Sequence, residues 1–232
     1  MFTPLTLLQL SKRCQHQGTM PATKTRYHHG DLRAACVRAA MELLEEGGET
    51  ALSLRAVARR AGVSPAAPYR HYADREALVS AVAALGYREL AERVVAAHSS
   101  PSTPEQLASV ANAYVQFALD RPALFRVMFS EPCDRDNDER NAATGAVSSY
   151  LGEIVGRAFP EADAEAMATA VWALVHGLAS LHLDGKLEAR TSAAVSRRVS
   201  AAVEALLSAT GAIGARGAAA GAAAAGGAGQ RG

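Results

Sequence analysis

Tyr69, Arg70 and His71 stand side by side after the run Ser64-Pro65-Ala66-Ala67-Pro68. Their chemistry is that of nucleic-acid contact. A phenol hydroxyl and a guanidinium both donate to phosphate oxygens, and an Arg can also fork onto O6 and N7 of a guanine in the major groove. Upstream, Lys24, Arg26, Tyr27, His28 and His29 make a basic arm with one aromatic ring. Such an arm can reach a DNA backbone or minor groove; as a chain terminus it can equally be flexible and solvated. Nothing comparable points to catalysis. There are no paired carboxylates in a recognisable setting, no Gly-rich phosphate loop, no nucleophile motif and no ligand cluster. His28 and His29 have no third ligand nearby, and Cys14, Cys36 and Cys133 are scattered without metal or redox spacing. No enzyme, metal or cofactor is expected. The scattered thiols suit a reducing cytoplasm.

Short helices must position those side chains. Leu54, Val57, Ala58 and Ala61 recur at i, i+3, i+4 and i+7, one face of a first helix. Ser53 sits where an N-cap belongs, and Gly62 stands where a left-handed residue ends a helix cheaply. Ser64 is placed to cap a second helix, with Pro65 at the first helical position, where its missing N–H is harmless. The spacing predicts a helix-turn-helix over about 53–72, whose second helix lies in a DNA major groove. Pro68 disturbs that second helix. Four residues past the cap, it removes the first regular i to i−4 bond, so a local tightening to 3₁₀ geometry is expected. A preceding helix over Asp31–Glu46, with Leu32, Cys36, Ala39, Ala40 and Leu43 inward, would hold the pair in place.

The remaining chain also reads as helix, with no strand-period segment and no internal repeat. Asp74 caps a helix to about His98. Thr103, Pro104 and Gln106 form a capping box that starts a helix through Asp120. Pro122 restarts a short apolar helix through Phe129. Further helices are expected over Asn141–Phe159, over Asp163–Asp184, stopped by Gly185, and from Thr191 or Ser192 to about Ala209. The fold class is all-α: an N-terminal three-helix helix-turn-helix head and a C-terminal helical bundle. Residues 1–23 read as a disordered extension, 24–85 as the head, 86–209 as the body, and 210–232 as a disordered Ala/Gly tail without apolar anchors. In the extension, charge follows the apolar Leu5–Leu10 patch, the reverse of a signal peptide. Met20 is an alternative beginning. No long uninterrupted apolar run marks a membrane span.

Charge distribution agrees with a nucleic-acid partner for the head alone. The net charge is +1, yet Met20–Arg75 carries nine Lys or Arg against six acids, and the chain from Glu76 onward thirteen against seventeen. A basic excess confined to one domain is the electrostatic footprint of phosphate binding.

The stretch Ser53–Leu78, with His29-Gly30-Asp31-Leu32-Arg33 before it, resembles the DNA-binding head of TetR-family transcriptional regulators. The likeness covers roughly Tyr27 to Leu85. Five features coincide in register: the His-Gly-Asp-Leu-Arg start, the Gly turn, the capped Ser-Pro segment, Tyr69, and the Asp74-Arg75-Glu76 start of the next helix. The resemblance implies a DNA-binding regulator acting as a homodimer. Two heads would read a palindromic double-stranded operator, as a repressor released by a small apolar or aromatic effector. A ligand-responsive activator, or an interaction module that has lost operator binding, would share the same features. By motif position, Ser53, Arg55, Ser64, Tyr69 and Arg75 would touch mainly phosphates, and Ala66, Ala67, Arg70 and His71 would lie nearer base edges, with Arg26 and Tyr27 in the arm.

Trp172, His176 and Gly177 form a W-x-x-x-H-G pattern, which resembles the C-terminal domain of a TetR subgroup named for its Trp-His-Gly triplet. Trp172 and His176, at i and i+4, share a helical face. They can line an effector pocket, or belong to a packed core or subunit interface with His176 satisfied by a hydrogen bond. The resemblance places an effector among Tyr114, Phe117, Phe125, Met128, Tyr150, Trp172 and His176. It also makes the last two helices a dimerisation pair, through Val171, Leu174 and Leu178 and through Val195, Val199 and Val203. The same stripes could serve a core within one chain.

Overall fold

The computed structural model describes residues 29–129, 137–188 and 191–227, with side chains described from 32 to 209 within those ranges. Arg26 and Tyr27 of the expected arm lie outside the described residues. The described residues form eight α-helices and two 3₁₀ turns, with no strand among them.

Three helices build the head. Helix α1 (His29–Gly47) turns Leu32, Cys36, Ala39, Ala40, Leu43 and Leu44 into the core. Helix α2 (Leu54–Arg60) begins where the Ser53 hydroxyl accepts a bond from the Ala56 amide, which satisfies one orphan N–H of the first turn. It ends at Gly62, whose φ of 67° is the left-handed conformation that only glycine adopts without strain. Helix α3 (Arg75–Ala97) is capped by Asp74, whose carboxylate accepts from the Ala77 amide.

The expected second helix of the motif is not a regular α-helix. Between Gly62 and Asp74 the chain makes turns around a single 3₁₀ turn, Pro68–Arg70. The reason is the paired prolines. Pro68 has no N–H to give to Ser64, so the carbonyl of Ser64 instead accepts from Ala67, the shorter i to i−3 bond. The Pro68 carbonyl then takes both His71 and Tyr72 amides. Pro68 itself is buried, and Tyr72 anchors the segment beneath, its hydroxyl donating to the Arg33 carbonyl of α1. Desolvation pushes the Tyr72 phenol up to about 12, so it stays protonated.

Five helices build the body. Helix α4 (Pro104–Asp120) starts with the reciprocal capping box of Thr103 and Gln106. Helix α5 (Pro122–Phe129) follows after Arg121. Helix α6 (Asp138–Ala158) is capped by Asn137 and begins earlier than the expected Asn141. Its charged first turn, Asp138-Glu139, suits the positive end of the helix dipole, a term that apolar periodicity overlooks. Helix α7 (Ala164–Leu183) is capped by Asp163, and Gly185 leaves it at φ 67°. Helix α8 (Ser192–Gly227) starts where Thr191 caps the Ala194 amide. It continues past the expected end near Ala209 into the Ala/Gly run, where alanine's high helix propensity opposes glycine's.

Helix α3 is the centre of the molecule: it packs on α1 in the head and on α4, α5 and α6 in the body. Helix α4 packs in turn on α7 and α8. Gly86 marks the crossing of α3 and α5. A Cβ placed there would meet Met128 Sδ at 2.6 Å and Leu124 Cδ1 at 3.0 Å, so the absent side chain sets the separation of the two helices. Ion pairs bridge head and body on the surface: Arg121 binds Glu45 of α1 at 3.0 Å and Glu89 of α3 at 3.1 Å.

Most of the expected dimer residues take the other role that their spacing allowed, a core within one chain. Leu178, Val195, Val199 and Val203 are buried within the chain, and Val171 and Leu174 are half-buried against the same cluster. Helices α7 and α8 must first cover α4, so the most apolar stripe of each turns inward. Ala166, Ala170, Ala173 and Leu181 are among the residues that α7 leaves outward. Although no span was expected, α7 is long and apolar enough, by length and composition, to cross a membrane.

Candidate functional site

The expected contact residues of the head are mostly exposed. Ser53, Arg55, Ser64, Ala66, Tyr69, Arg70 and His71 are all exposed, and Tyr69 is 53% exposed although its ring is large and apolar. Large apolar rings normally go inside, and here Pro68 and Tyr72 on either side do. The 3₁₀ turn therefore separates the residues of one short stretch into anchors and donors. Ser53 has two roles open to it, because its oxygen caps α2 while its hydroxyl proton remains outward.

Two expected contacts occupy other positions. Ala67 is half-buried and packs against the core, which takes it off the outward face. Arg75 is turned back into the head. Its guanidinium donates from Nε to the Leu52 carbonyl and from one Nη to the Glu49 carbonyl and carboxylate, each at 3.1 Å. These bonds serve two carbonyls of the α1–α2 connection, Leu52's and Glu49's, the latter already accepting the Leu52 amide, so Arg75 holds the head together. The first turn of a helix is a poor place for a cation on dipole grounds; three local acceptors explain why one sits there.

The body holds a cavity of about 320 Å³ between α3, α6 and α7. Its walls include Tyr87 and Leu90 of α3, Tyr114 of α4, Phe129 of α5, Leu151 of α6 and Trp172 of α7. A second, smaller space of about 50 Å³ shares Tyr114, Leu151 and Trp172 as walls, and its walls are apolar almost throughout. Tyr114 and Trp172, expected at an effector site, thus line both spaces, and Trp172 is 46% exposed. His176 lies behind them. Its Nδ1 is 3.1 Å from the Tyr114 hydroxyl, its ring stacks on Phe125 with centroids 5.4 Å apart, and Phe129 meets it edge-on at 4.5 Å. Burial pushes its pKa down, so the imidazole is held neutral.

Three more expected effector residues serve the frame. Phe117 is fully buried beneath the Arg93 guanidinium, Met128 fills the space that Gly86 leaves, and the Tyr150 hydroxyl bonds the His98 carbonyl at the end of α3. None of the three lines either space. Sequence reasoning missed Tyr87, Thr144, Ser148 and Thr169, which do line the larger one. A signal existed for α6: Thr144, Val147, Ser148 and Leu151 share a helical face on which polar and apolar residues alternate, unusual for a face that is simply core.

A polar, donor-bearing face on a compact three-helix head, joined by one helix to a hollow helical body, defines a helix-turn-helix DNA-binding regulator. The comparisons with known proteins make the class specific. Residues 37–82 match the family described as "Bacterial regulatory proteins, tetR family", and residues 107–208 match "Tetracyclin repressor-like, C-terminal domain". The HTH-type transcriptional regulator BetI of Rhizobium meliloti (strain 1021) is 30% identical over 152 residues, 63% of this chain and 75% of that protein. A protein of unknown function from Rhodococcus sp. RHA1 has a structure with TM-score 0.68 at 33% identity, covering 79% of this chain and 97% of that one. A bacterial regulatory protein in the tetR family from Rhodococcus RHA1 shares the fold at TM-score 0.56 and 23% identity, over 75% of this chain and 95% of that one. The chain belongs to the TetR family of transcriptional regulators.

Proposed function

We propose that this regulator is a homodimeric repressor that binds a palindromic operator and is released from it by a small molecule held in the body. The observation that carries the reading is the continuity of α3. Its first residue, Arg75, clamps the head, and three turns later Tyr87 and Leu90 form a wall of the cavity. A helix is stiff over that length, so a ligand that shifts the wall tilts the head. The ligand favours one of two dimer arrangements, and only the arrangement with correctly spaced heads fits DNA.

Dimerisation has its own support. One head offers too few donors for a specific site, whereas two heads related by a two-fold axis reach half-sites roughly 34–36 Å apart. The outward side of α7, with Ala166, Ala170, Ala173 and Leu181, is apolar and uncovered. Small residues let a second helix approach closely, and a partner copy of α7 would cover the surface that makes this helix long and apolar enough to cross a membrane. In this reading the protein works in the cytoplasm, as the family's soluble members must to meet DNA.

The test is a nuclease footprint on the DNA upstream of the protein's own gene and its neighbours, with and without candidate ligands. A two-fold symmetric footprint that weakens with ligand is expected. A footprint that appears only with ligand would replace release by recruitment. No footprint on any neighbouring promoter would argue against operator control of adjacent genes.

A further inference from the structure

The lining of the larger cavity is informative about charge and about hydrogen-bonding direction. Among the described residues, none that lines it is Asp, Glu, Lys, Arg or His. An ion entering it would leave water for a lining with no counter-charge among the described residues, at a cost that neutral molecules avoid. Its polar groups are the Trp172 indole N–H and five hydroxyls, of which three have already committed their protons. Tyr87 donates to the Met128 carbonyl at 2.9 Å, Thr144 to the Arg140 carbonyl at 2.9 Å, and Thr169 to the Glu165 carbonyl at 2.9 Å. A hydroxyl that has donated its proton still offers lone pairs, so these walls accept more readily than they donate. A carboxylate or sulfonate, which can only accept, would find few free donors and, among the described residues, no cation. The rest of the lining, including Leu90, Phe129, Val147 and Leu151, is apolar.

We propose that the cavity takes an uncharged, largely apolar molecule carrying at least one O–H or N–H donor, such as an alcohol, phenol or amide, and discriminates against ions. The proposal rests on reading the cavity as the effector site. Trp172 and Tyr114 line both this cavity and the smaller apolar space beside it, whereas Thr144 and Thr169 line the larger one alone. The donor therefore faces the hydroxyls of Thr144 and Thr169, and the apolar part faces Trp172.

The chain contains a single tryptophan, which makes the test direct. Two probes with one skeleton are titrated into the full-length protein. N-phenyl-1-naphthylamine is neutral and carries an N–H, and 1-anilinonaphthalene-8-sulfonate adds an anion to the same rings. Energy transfer from Trp172 reports whether the bound probe lies beside it. The amine is expected to bind with strong quenching of Trp172, and the sulfonate at least about tenfold more weakly, as an unpaired anion in an apolar site requires. Ser148→Phe and Thr169→Phe, at exposed positions on opposite rims where folding is undisturbed, should each reduce the amine signal. Benzyl alcohol should displace the amine better than benzyltrimethylammonium does.

Equal or tighter sulfonate binding that the rim variants block would overturn the uncharged occupant while leaving the cavity as a ligand site. Displacement by the ammonium ion as good as by the alcohol would do the same. Binding of neither probe, or amine binding unaltered in both rim variants, would overturn the occupant and the reading of the cavity together.

Discussion

Glu139, in the first turn of α6, pairs with Arg33 of α1 across 2.5 Å, so the body is tied to the head by a charge pair far apart in sequence. The same carboxylate meets Arg88 of α3 at 2.9 Å. One acidic residue therefore touches the first helix of the head, the connecting helix and the helix that walls the cavity. Both Arg side chains are about half exposed, so solvent screens the pairs, and each is worth about 0–1 kcal/mol. Burial pushes the Glu139 carboxyl up, but the Arg88 bond and the Arg33 charge outweigh it, and its pKa lies below the ordinary range. A depressed carboxyl contributes stability that is present above its unfolded pKa, about 4.3, and is lost as pH falls through the folded value. A double-mutant cycle of Arg33→Ala and Glu139→Ala, read by urea unfolding, should show coupling of about 0.2–1 kcal/mol at pH 7 that is lost as pH falls through the lowered folded pKa of Glu139.

His176 should produce an acid-side loss of a different origin. Its pKa is pushed down by burial, so the unfolded chain binds a proton first as pH falls. Stability from this group is complete above its unfolded pKa of about 6.5 and declines below it. Thermal melts of His176→Gln should lose part of the slope between about pH 6.5 and 5 that the unchanged protein shows. An identical slope in both would place the buried charge elsewhere.

Gly86 predicts a packing effect with a named partner. A valine there must displace Met128 and Leu124, and overpacking of this kind costs about 1–3 kcal/mol. Met128→Ala opens the space, so the double variant should be less destabilised than the two single losses added together. Denaturant unfolding of the four proteins measures it.

On the head, Tyr69→Phe and Arg70→Ala should separate two kinds of contact. Loss of the Tyr69 hydroxyl should weaken binding to all operator variants alike. Loss of Arg70 should cost about 1–3 kcal/mol at one base position if it forks onto a guanine, and relax preference there. Gel-shift titration against a set of single-base operator variants distinguishes the two patterns.

Arg75→Ala tests the reassignment of that side chain. Its three bonds all end on residues of the head. The variant should lower the melting temperature, and operator binding at low temperature should fall less than it does for Tyr69→Phe. A stable protein with weakened binding would return Arg75 to the DNA.

Much of the fold was legible because its signals are local. Ser53, Asp74 and Thr103 each cap the helix expected of them, since an oxygen three residues before an amide needs no tertiary partner. Gly62 and Gly185 end helices for an equally local reason, the missing Cβ. The resemblance of Ser53–Leu78 to the TetR head likewise depended on residues in fixed register.

What tertiary structure decided is which way each helix faces. Val195, Val199 and Val203 make as good a dimer seam as a core stripe by spacing, and only the position of α4 turns them inward. Phe117, Met128 and Tyr150 look like pocket residues by size, yet they pack the frame, while Thr144, Ser148 and Thr169 line the space. Periodicity says that a face is apolar and never what covers it. For Ser64–His71 the two levels meet. The sequence alone placed Tyr69, Arg70 and His71 together and marked Pro68 as a break. Folding then buried Pro68 and Tyr72, because a 3₁₀ turn without the Pro68 N–H projects its neighbours apart, and left Tyr69, Arg70 and His71 exposed.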